Sequence, residues 1–363
     1  MINIAHFGSY NINVGDNIAL LNIRKGIEKL VNETINWNNI DIKEFHDSPM
    51  GMNSVEYAKL RMRDISSEND MLIIGGGGLI ESNKRKDNET KWKLPFNEEI
   101  LNCLDIPVVC FALGINYFRN FPELDKEAIT GLKALKDKSA LFSLRNDGST
   151  EIYEKIYNEK CTEVPDPGMI FDKSLCKSIN TEITTGFLQP AWNNNLLQMA
   201  GRGFTQSNLM DMIVYCRNNN LKVVPHTLKD YNFPYNNFYY SRGEFSTLVK
   251  FNNFEQVIKD YHSFDYSVPM RGHGQLISIG INMPSIYFST QDKVRDFSKR
   301  NDLSQYNVDI GEQHWQEKLQ EKTNLLKNDK NFLLQWYEKR EKLVIKCQKQ
   351  FEKFCERIQN IVE

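Results

Sequence analysis

Residues 265–288 read DYSVPMRGHGQLISIGINMPSIYF, and this pattern predicts a complete strand–helix–strand unit. The segment Asp265–Val268 predicts a strand, the small and apolar residues of His273–Ile281 predict a helix, and Ser285–Phe288 predicts a second strand. Strands that alternate with helices pair in parallel through crossover connections. The stretch therefore predicts an α/β protein built on a parallel sheet.

The same alternation extends through the rest of the chain. Further apolar runs that predict strands lie at Ile2–Phe7, Met71–Ile74, Pro107–Leu113, Ala140–Leu144, Glu182–Leu188 and Lys222–Pro225. The turn sequence Asp166-Pro167-Gly168 ends the first set of strands before the second begins. We therefore expect two successive doubly wound α/β domains, residues 1–175 and 176–310, with a cleft between them.

From about residue 311 the chain changes character. Apolar residues recur there at helical spacing among Lys and Glu, namely Trp336, Leu343, Cys347, Phe354, Ile358 and Ile361. This pattern predicts a long amphipathic helix within residues 311–363, and we expect this extension to pack back over the two domains. A helix lying on a membrane surface is the alternative, although its interspersed acidic residues argue against strong attraction to lipid.

Composition limits the classes of function. The 363 residues carry 45 Lys and Arg and 47 Asp and Glu, so a formal net charge of -2 gives no reason to expect a nucleic-acid partner. The seven cysteines never show CxxC spacing, which favours reduced thiols over disulfides or a zinc site. The N-terminus does not resemble a signal peptide, and the apolar runs are too short to span a bilayer. We expect a cytoplasmic protein that contacts a membrane at most peripherally.

Cationic side chains follow several predicted strands of the second half. Arg271 and His273 lie between a strand and a helix N-terminus, a place that attracts anions. His273 is therefore a candidate general acid and Arg271 a candidate phosphate ligand. Lys293 and His226 follow neighbouring strands and are expected to reach the same pocket. A hydrogen-bonded structural role is the alternative for any single His, but it explains less well a group of cations at successive strand ends.

The first half contributes three candidates at strand ends. Arg145 can bind phosphate or carboxylate with its planar guanidinium, or it can pair with Asp147 at the surface. Asp16, in the sequence NVGDNIAL, can cap the helix that follows or accept hydrogen bonds from substrate hydroxyls. The four glycines Gly75, Gly76, Gly77 and Gly78 allow either close approach of a ligand or close packing at the cleft floor. They lack the spacing of a dinucleotide-binding or P-loop motif.

Along the chain occur, in this order, the segments NVGDNIAL, the GGGG run, FALGIN, SLRND, VPDPGMIFD, VPHTLKD and MRGHG…NMPSIYFSTQDK. Their order resembles the polysaccharide pyruvyl transferase family over about residues 1–300. The most specific part is the Arg-x-His turn with its small-residue helix, followed by Pro, a strand and Lys.

The resemblance implies a GT-B-like fold of two facing Rossmann-like domains. It implies transfer of the enolpyruvyl group of phosphoenolpyruvate to a sugar, free or lipid-linked, of a cell-surface polysaccharide precursor, with a pyruvate ketal as product. Arg271 and His273 match the Arg-x-His motif of the donor site, and Arg145 and Lys293 match further donor ligands. The acceptor is then expected against Asp16 and the glycine run. The implied mechanism needs no metal, and phosphoenolpyruvate is a co-substrate rather than a cofactor.

Two other functions remain open. A GT-B-type glycosyltransferase would use the same Arg and Lys side chains to bind the diphosphate of a nucleotide-sugar. A non-catalytic relative could serve as a binding protein in a polysaccharide assembly complex, although the retained Arg271, His273 and Lys293 speak against this.

Overall fold

A computed structural model describes residues 1–45, 54–81, 94–116, 124–191 and 206–362. Its first half is a six-stranded sheet in which every strand pair is parallel, in the order β2-β1-β3-β4-β5-β6. The strands are β1 (Ile2–Gly8), β2 (Ile35–Asp41), β3 (Met71–Gly75), β4 (Val108–Leu113), β5 (Leu141–Arg145) and β6 (Thr162–Val164). Four of them are the strands predicted from apolar runs. Helices cover both faces of this sheet, as a parallel sheet requires.

The helices of the first half lie between these strands. They are α1 (Val14–Glu28), α2 (Ser54–Glu68), α3 (Glu98–Leu101), α4 (Lys126–Lys138) and α5 (Ser149–Tyr157). Side chains alternate between the two faces along each strand, so neighbouring residues enter different cores. Ile4 packs into the core that contains Ile23 of α1, whereas Ala5 packs into the core that contains Met62 of α2. The alternation fixes which helix covers each face.

The second half contains a smaller parallel sheet. Strands β7 (Gly186–Gln189), β8 (Lys222–Val223) and β9 (Tyr266–Pro269) pair in the order β8-β7-β9, and β10 (Tyr287–Ser289) pairs with β11 (Asn307–Asp309). A parallel bridge between Ser267 and Ser285 joins the two groups. The helices are α6 (Gln206–Asn218), α7 (Arg242–Leu248), α8 (Glu255–Tyr261), α9 (Gly272–Gly280) and α10 (Asp292–Arg300). The unit β9–α9–β10 is the strand–helix–strand unit predicted for residues 265–288.

The C-terminal extension is two helices rather than one. Helix α11 (Trp315–Asn328) ends just before Asp329, and α12 (Lys330–Val362) begins directly after it. The Asp329 carboxylate accepts the backbone N–H groups of Asn331 and Phe332 at 2.9 and 3.1 Å. This capping starts a new helix and accounts for the break, which the apolar spacing alone does not reveal.

Helix α12 packs against both sheets. Near its start, Trp336 donates a 3.2 Å hydrogen bond from Nε1 to the Tyr287 hydroxyl in β10. Further along, Phe351 and Phe354 contact the ring of Phe111 in β4, with ring centroids 5.3 and 4.8 Å apart. The helix therefore completes the core of each half.

The predicted α/β fold class, with two parallel-sheet units facing across a cleft and a long C-terminal helix, is confirmed. The division into domains at residues 175 and 310 stays a prediction. Within the described part of the chain, no helix combines the length and the apolar character needed to cross a bilayer.

Candidate active site

The described residues enclose a cleft of about 260 Å³ where the carboxyl ends of the two sheets meet. In parallel α/β proteins this is the edge at which ligands bind. The first half contributes residues of α1, the loop after β3 and the end of β5, and the second half contributes α9 and α10. The lining residues used below are Asp16, Gly78, Asn116, Arg145, Asp147, Asp166, Arg271, His273 and Lys293.

Arg271 lies at the N-cap position of α9 and is held by fixed acceptors. Its Nη2 donates to Asp230 Oδ1 at 2.6 Å, and its Nε donates to the Pro190 carbonyl at 3.0 Å. Asp230 is fully buried, and its other oxygen accepts the backbone N–H groups of His226 and Thr227, both at 2.9 Å. A buried carboxylate fixed in this way holds the guanidinium at the cleft wall.

His273 lies between two carboxylates that come from different parts of the chain. Its Nδ1 is 3.3 Å from Asp16 Oδ1, and its Nε2 is 3.6 Å from Asp166 Oδ1. Two glycines make room for the ring. A Cβ added at Gly15 would lie 2.2 Å from the His273 Cβ, and one added at Gly168 would lie 3.0 Å from Cδ2. The N-terminus of α1 therefore approaches the ring so closely only because residue 15 has no side chain.

Arg145 ends β5 and is buried beneath the cleft. Its Nε donates to Asp147 Oδ2 at 2.5 Å and its Nη1 donates to Asp166 Oδ2 at 3.1 Å. A Cβ at Gly114 would lie 2.1 Å from the Arg145 Cζ, so the guanidinium lies directly on that glycine. The remaining nitrogen, Nη2, has no hydrogen-bond partner among the described residues. A buried donor of this kind is available to an anionic ligand.

Asp166 is the carboxylate shared by Arg145 and His273. Burial by itself would raise its pKa, but the charge of His273, the charge of Arg145 and the N–H of Gly168 together hold the pKa well below its usual range. Asp166 is therefore ionised at neutral pH.

Lys293 belongs to the first turn of α10 and reaches across the cleft. Its Nζ donates to Asn116 Oδ1, on the first half, at 3.4 Å. Burial, followed by the charge of Arg145, lowers the pKa of Lys293 to about 8, although Asp147, Asp16 and Glu81 oppose the shift. Lys293 is thus mostly charged at pH 7, and a bound anion would favour its charged form further.

The structure brings together six of the predicted site residues, Gly78 and five residues with ionisable side chains. Asp16, Arg145, Arg271, His273 and Lys293 all line the cleft. Asp16 does not cap α1, because the N-cap is Asn13, whose side chain accepts the N–H of Gly15 at 2.9 Å. The Asp16 carboxylate faces His273 instead. Arg145 does pair with Asp147, as the alternative interpretation had it, but the pair is buried rather than at the surface.

Of the four glycines Gly75–Gly78, two lie where a ligand could approach and two are needed for close packing inside the fold. Gly78 lines the cleft, and a Cβ at Gly77 would lie 3.1 Å from Asp16 Oδ1. Gly75 and Gly76 pack inside the fold, since a Cβ at either would lie within 3 Å of Phe111 or Leu20. Gly76 also has a φ of +88°, which favours glycine for backbone reasons alone.

His226 does not reach the cleft, which corrects the expectation that it binds the donor. It is fully buried and is absent from the described residues that line the cleft. Its Nε2 is hydrogen-bonded to the Tyr261 hydroxyl, and burial, with the charges of Arg271 and His273, holds its pKa well below the usual range. The strand β8 ends at Val223, so His226 lies beyond the strand end and turns into the domain core.

Sequence reasoning missed the acidic half of the site. Asp166 and Asp147 were seen only as a turn residue and as a surface partner, and Asp230 was not singled out. Asp230 had a signal, because the sequence TLKD matches the capping box that Thr227 and Asp230 form. For Asn116, at the end of FALGIN, the sequence offers no signal except its position after a strand.

Comparison with known proteins was made at the levels of family, sequence and fold. A sequence profile of the family described as polysaccharide pyruvyl transferase matches residues 13–292. No significant match was found among curated protein sequences.

Solved structures match the chain over most of its length at low identity. An O-GlcNAc transferase from Thermobaculum terrenum is 12% identical, with a TM-score of 0.46 over 99% of this chain and 67% of that chain. The S. aureus MnaA–UDP co-structure is 9% identical, with a TM-score of 0.48 over 95% of both chains. An alpha-glucosyltransferase in complex with UDP and DNA is 10% identical, with a TM-score of 0.46 over 100% of both. These are similarities of fold alone.

The family match begins just before α1 and ends at the start of α10. The match includes the loop after β3, the carboxyl end of β5 and the Arg271–His273 turn. It therefore includes Asp16, Arg145, Asp166, Arg271 and His273, all of which line the cleft. The chain belongs to the polysaccharide pyruvyl transferase family.

Proposed function

We propose that the protein transfers the enolpyruvyl group of phosphoenolpyruvate to a sugar of a cell-surface polysaccharide precursor and closes a pyruvate ketal across two hydroxyls. One observation carries the proposal. Arg145, Arg271, His273 and Lys293, drawn from both halves of the chain, line a single small cleft. A donor with both a phosphate and a carboxylate needs such a convergence of cations.

The donor would lie between the two arginines and Lys293. Arg145 Nη2 is buried without a partner among the described residues, and Arg271 is fixed by Asp230 at the N-terminus of α9. These groups favour an anion in the cleft, and they would neutralise charge on the phosphate as it leaves. Because their positions are fixed before the donor binds, little reorganisation is needed in the transition state.

His273 would supply the proton that starts the reaction. It passes a proton to the methylene carbon of phosphoenolpyruvate, and the first sugar hydroxyl forms a bond to C2. Asp16 Oδ1, 3.3 Å from His273 Nδ1, can accept the proton of that hydroxyl and return it to His273. A placed acid of this kind contributes about 10²–10⁴-fold to the rate.

The second stage releases phosphate and closes the ring. The C2–O bond to phosphate breaks, the second hydroxyl attacks C2, and its proton leaves with the phosphate. Two hydroxyls and one phosphoenolpyruvate thus give one ketal and one inorganic phosphate. The transfer involves no net oxidation or reduction, so it needs no electron acceptor or donor.

A thermal-shift titration with phosphoenolpyruvate tests the donor assignment. A ligand that binds only the folded state stabilises it by RT ln(1 + [L]/Kd), so we expect a rise in Tm for the wild type. In Arg271→Ala the rise should disappear. Lys229→Ala, an exposed charge on the turn that carries Asp230, is the matched control and should keep the rise.

Two outcomes would redirect the assignment. If millimolar phosphoenolpyruvate leaves Tm unchanged while a nucleotide-sugar raises it, the protein is a glycosyltransferase of similar shape. If Arg271→Ala leaves the output of the polysaccharide pathway unchanged, the protein is a non-catalytic relative. With donor binding established, phosphate release can be followed with methyl hexopyranosides that carry free pairs of hydroxyls.

A further inference from the structure

Among the described residues that line the cleft, Asp166 is the one buried carboxylate to which the reaction above assigns no task. It follows β6 and is only 2% exposed, and its position is fixed on several sides. Its backbone N–H donates to Asn146 Oδ1 at 3.2 Å, and Pro167 follows it directly. The Pro167 carbonyl in turn accepts a 2.8 Å hydrogen bond from Asn22 of α1. A carboxylate this firmly held can fix the groups that it contacts.

Its two oxygens serve two different cations. Oδ2 accepts Nη1 of Arg145 at 3.1 Å, whereas Oδ1 accepts the N–H of Gly168 at 2.9 Å and faces His273 Nε2 at 3.6 Å. Both oxygens are therefore needed as acceptors. An amide in this position would offer one acceptor and one donor, and so would turn a donor towards one of these groups.

The two nitrogens of His273 are not equivalent. Nε2 is buried, lies 3.6 Å from Asp166 Oδ1 and makes no hydrogen bond shorter than that to any described residue. Nδ1 lies on the side of Asp16, which lines the cleft. Charged groups that face the ring or its partners come from every neighbouring element: Asp16 from α1, Arg145 from β5, Asp166 after β6, Arg271 before α9 and Lys293 from α10.

We propose that Asp166 is a positioning residue that accepts the Nε2–H of His273 and thereby presents Nδ1 as the nitrogen that transfers protons in the cleft. The proposal rests on the acid role proposed for His273. It follows the general logic in which a buried carboxylate fixes the tautomer and orientation of a catalytic imidazole. Asp166 itself neither contacts the substrate nor changes its protonation state.

The direct test is a proton NMR spectrum of the full chain, which needs neither donor nor acceptor. We expect an exchange-protected imidazole N–H resonance that is absent from His273→Gln and is therefore assigned to His273. Asp166→Asn should remove it or expose it to rapid exchange. Asp172→Asn, an exposed carboxylate nearby that pairs with Lys29, is the control and should retain it. Absence of the resonance from the wild type, or its persistence unchanged in Asp166→Asn, would overturn the proposal.

A double-mutant cycle tests whether the effect on the reaction passes through His273. With phosphoenolpyruvate and a methyl hexopyranoside acceptor, Asp166→Asn should lower kcat by about 10²-fold or more in the wild-type background. In the His273→Gln background it should lower kcat by less than about threefold, because residues that act as a unit are not additive. An equal loss in both backgrounds would mean that Asp166 acts through Arg145 instead. If phosphoenolpyruvate itself fails to bind, the NMR result still decides the role of Asp166.

Discussion

At the scale of single residues, the site depends on one contact between the two halves of the chain. Gly15 lies in the first turn of α1, and the space that its side chain would fill is taken by His273. In most helices an alanine would be more favourable than glycine by about 1 kcal/mol, so the glycine is retained here for space rather than for helix formation.

Substituting Gly15 with alanine should therefore displace His273 relative to Asp16. We expect Gly15→Ala to lower kcat on the order of 10²-fold, since a shift of about 1 Å in a catalytic group can cost that much. Steady-state kinetics of phosphate release provide the measurement. Gly243→Ala is the matched control, because a Cβ there meets nothing within 4 Å. Equal activity of the two variants would contradict the role given to Gly15.

The charge of Lys293 should make donor binding depend on pH. With a pKa of about 8, Lys293 loses its proton as pH rises through that value, and the attraction for phosphate falls with it. We expect the Kd for phosphoenolpyruvate, measured by calorimetry, to increase between pH 7 and pH 9. Lys293→Arg keeps its charge in this range, so the increase should be smaller in that variant. A Kd that changes equally in both proteins would assign the dependence to another group.

Which of these residues the sequence can predict depends on their chemistry. The cations could be found because each follows an apolar strand that the sequence predicts. Asp166 could not, because Asp-Pro-Gly is an ordinary turn sequence and its two partners lie 21 residues and more than 100 residues away. His226 shows the opposite failure. Its position after a strand suggested the cleft, but the turn that follows β8 directs it towards Tyr261.

At the scale of elements, the long helix α12 is held by one well-packed face. Phe351 is almost fully buried, and its ring contacts Phe111 of β4 while occupying the space that a side chain at Gly26 of α1 would need. Ile345, on the opposite face of the same helix, is 50% exposed. The helix therefore offers a buried and an exposed apolar residue for direct comparison.

Removing the Phe351 ring should destabilise the fold strongly. We expect Phe351→Ala to lower the free energy of unfolding by about 3–5 kcal/mol, since it leaves a cavity against β4 and α1. Ile345→Ala should change it by less than about 0.5 kcal/mol. Chemical denaturation followed by circular dichroism measures both variants. Similar midpoints for the two would show that α12 does not complete the core of the first half.

Strand β2 shows where prediction of elements fails. Its sequence INWNNID contains two isoleucines and a tryptophan among polar residues, with no apolar run, and it was not predicted. It forms because β1 offers an unpaired edge, and Ile2 to Gly8 pair in register with Ile35 to Asp41. Pairing with an existing strand thus supplies what local sequence does not. The central strands β1, β3 and β4 could be predicted because they are buried on both faces and are accordingly apolar apart from Asn3 and His6 of β1.

At the scale of the whole molecule, contacts between the halves are numerous and of several kinds. Arg300 of α10 pairs with Glu151 and Glu163 of the first half, and Lys25 of α1 pairs with Glu255 of α8 at 3.2 Å. The buried Asn17 side chain donates to the Val249 carbonyl at 2.7 Å. Together with α12, these contacts join the two sheets into one packed body.

We therefore expect the chain to unfold in one cooperative step, although it contains two sheets. In differential scanning calorimetry, the calorimetric enthalpy should equal the van 't Hoff enthalpy within error. Phe351→Ala should lower the single Tm without splitting the transition. Two resolved transitions, in either protein, would mean that the halves fold independently and that α12 merely lies across them.

The position of α12 in the sequence also affects how the protein is made. Phe111 leaves the ribosome about 240 residues before Phe351, which at about 5–20 residues per second is ~12–50 s of synthesis. During that interval the face of the first sheet that includes Phe111 lacks one of the helices that cover it. The nascent chain must therefore carry an uncovered hydrophobic surface, the kind that chaperones bind, until nearly all of it has been translated.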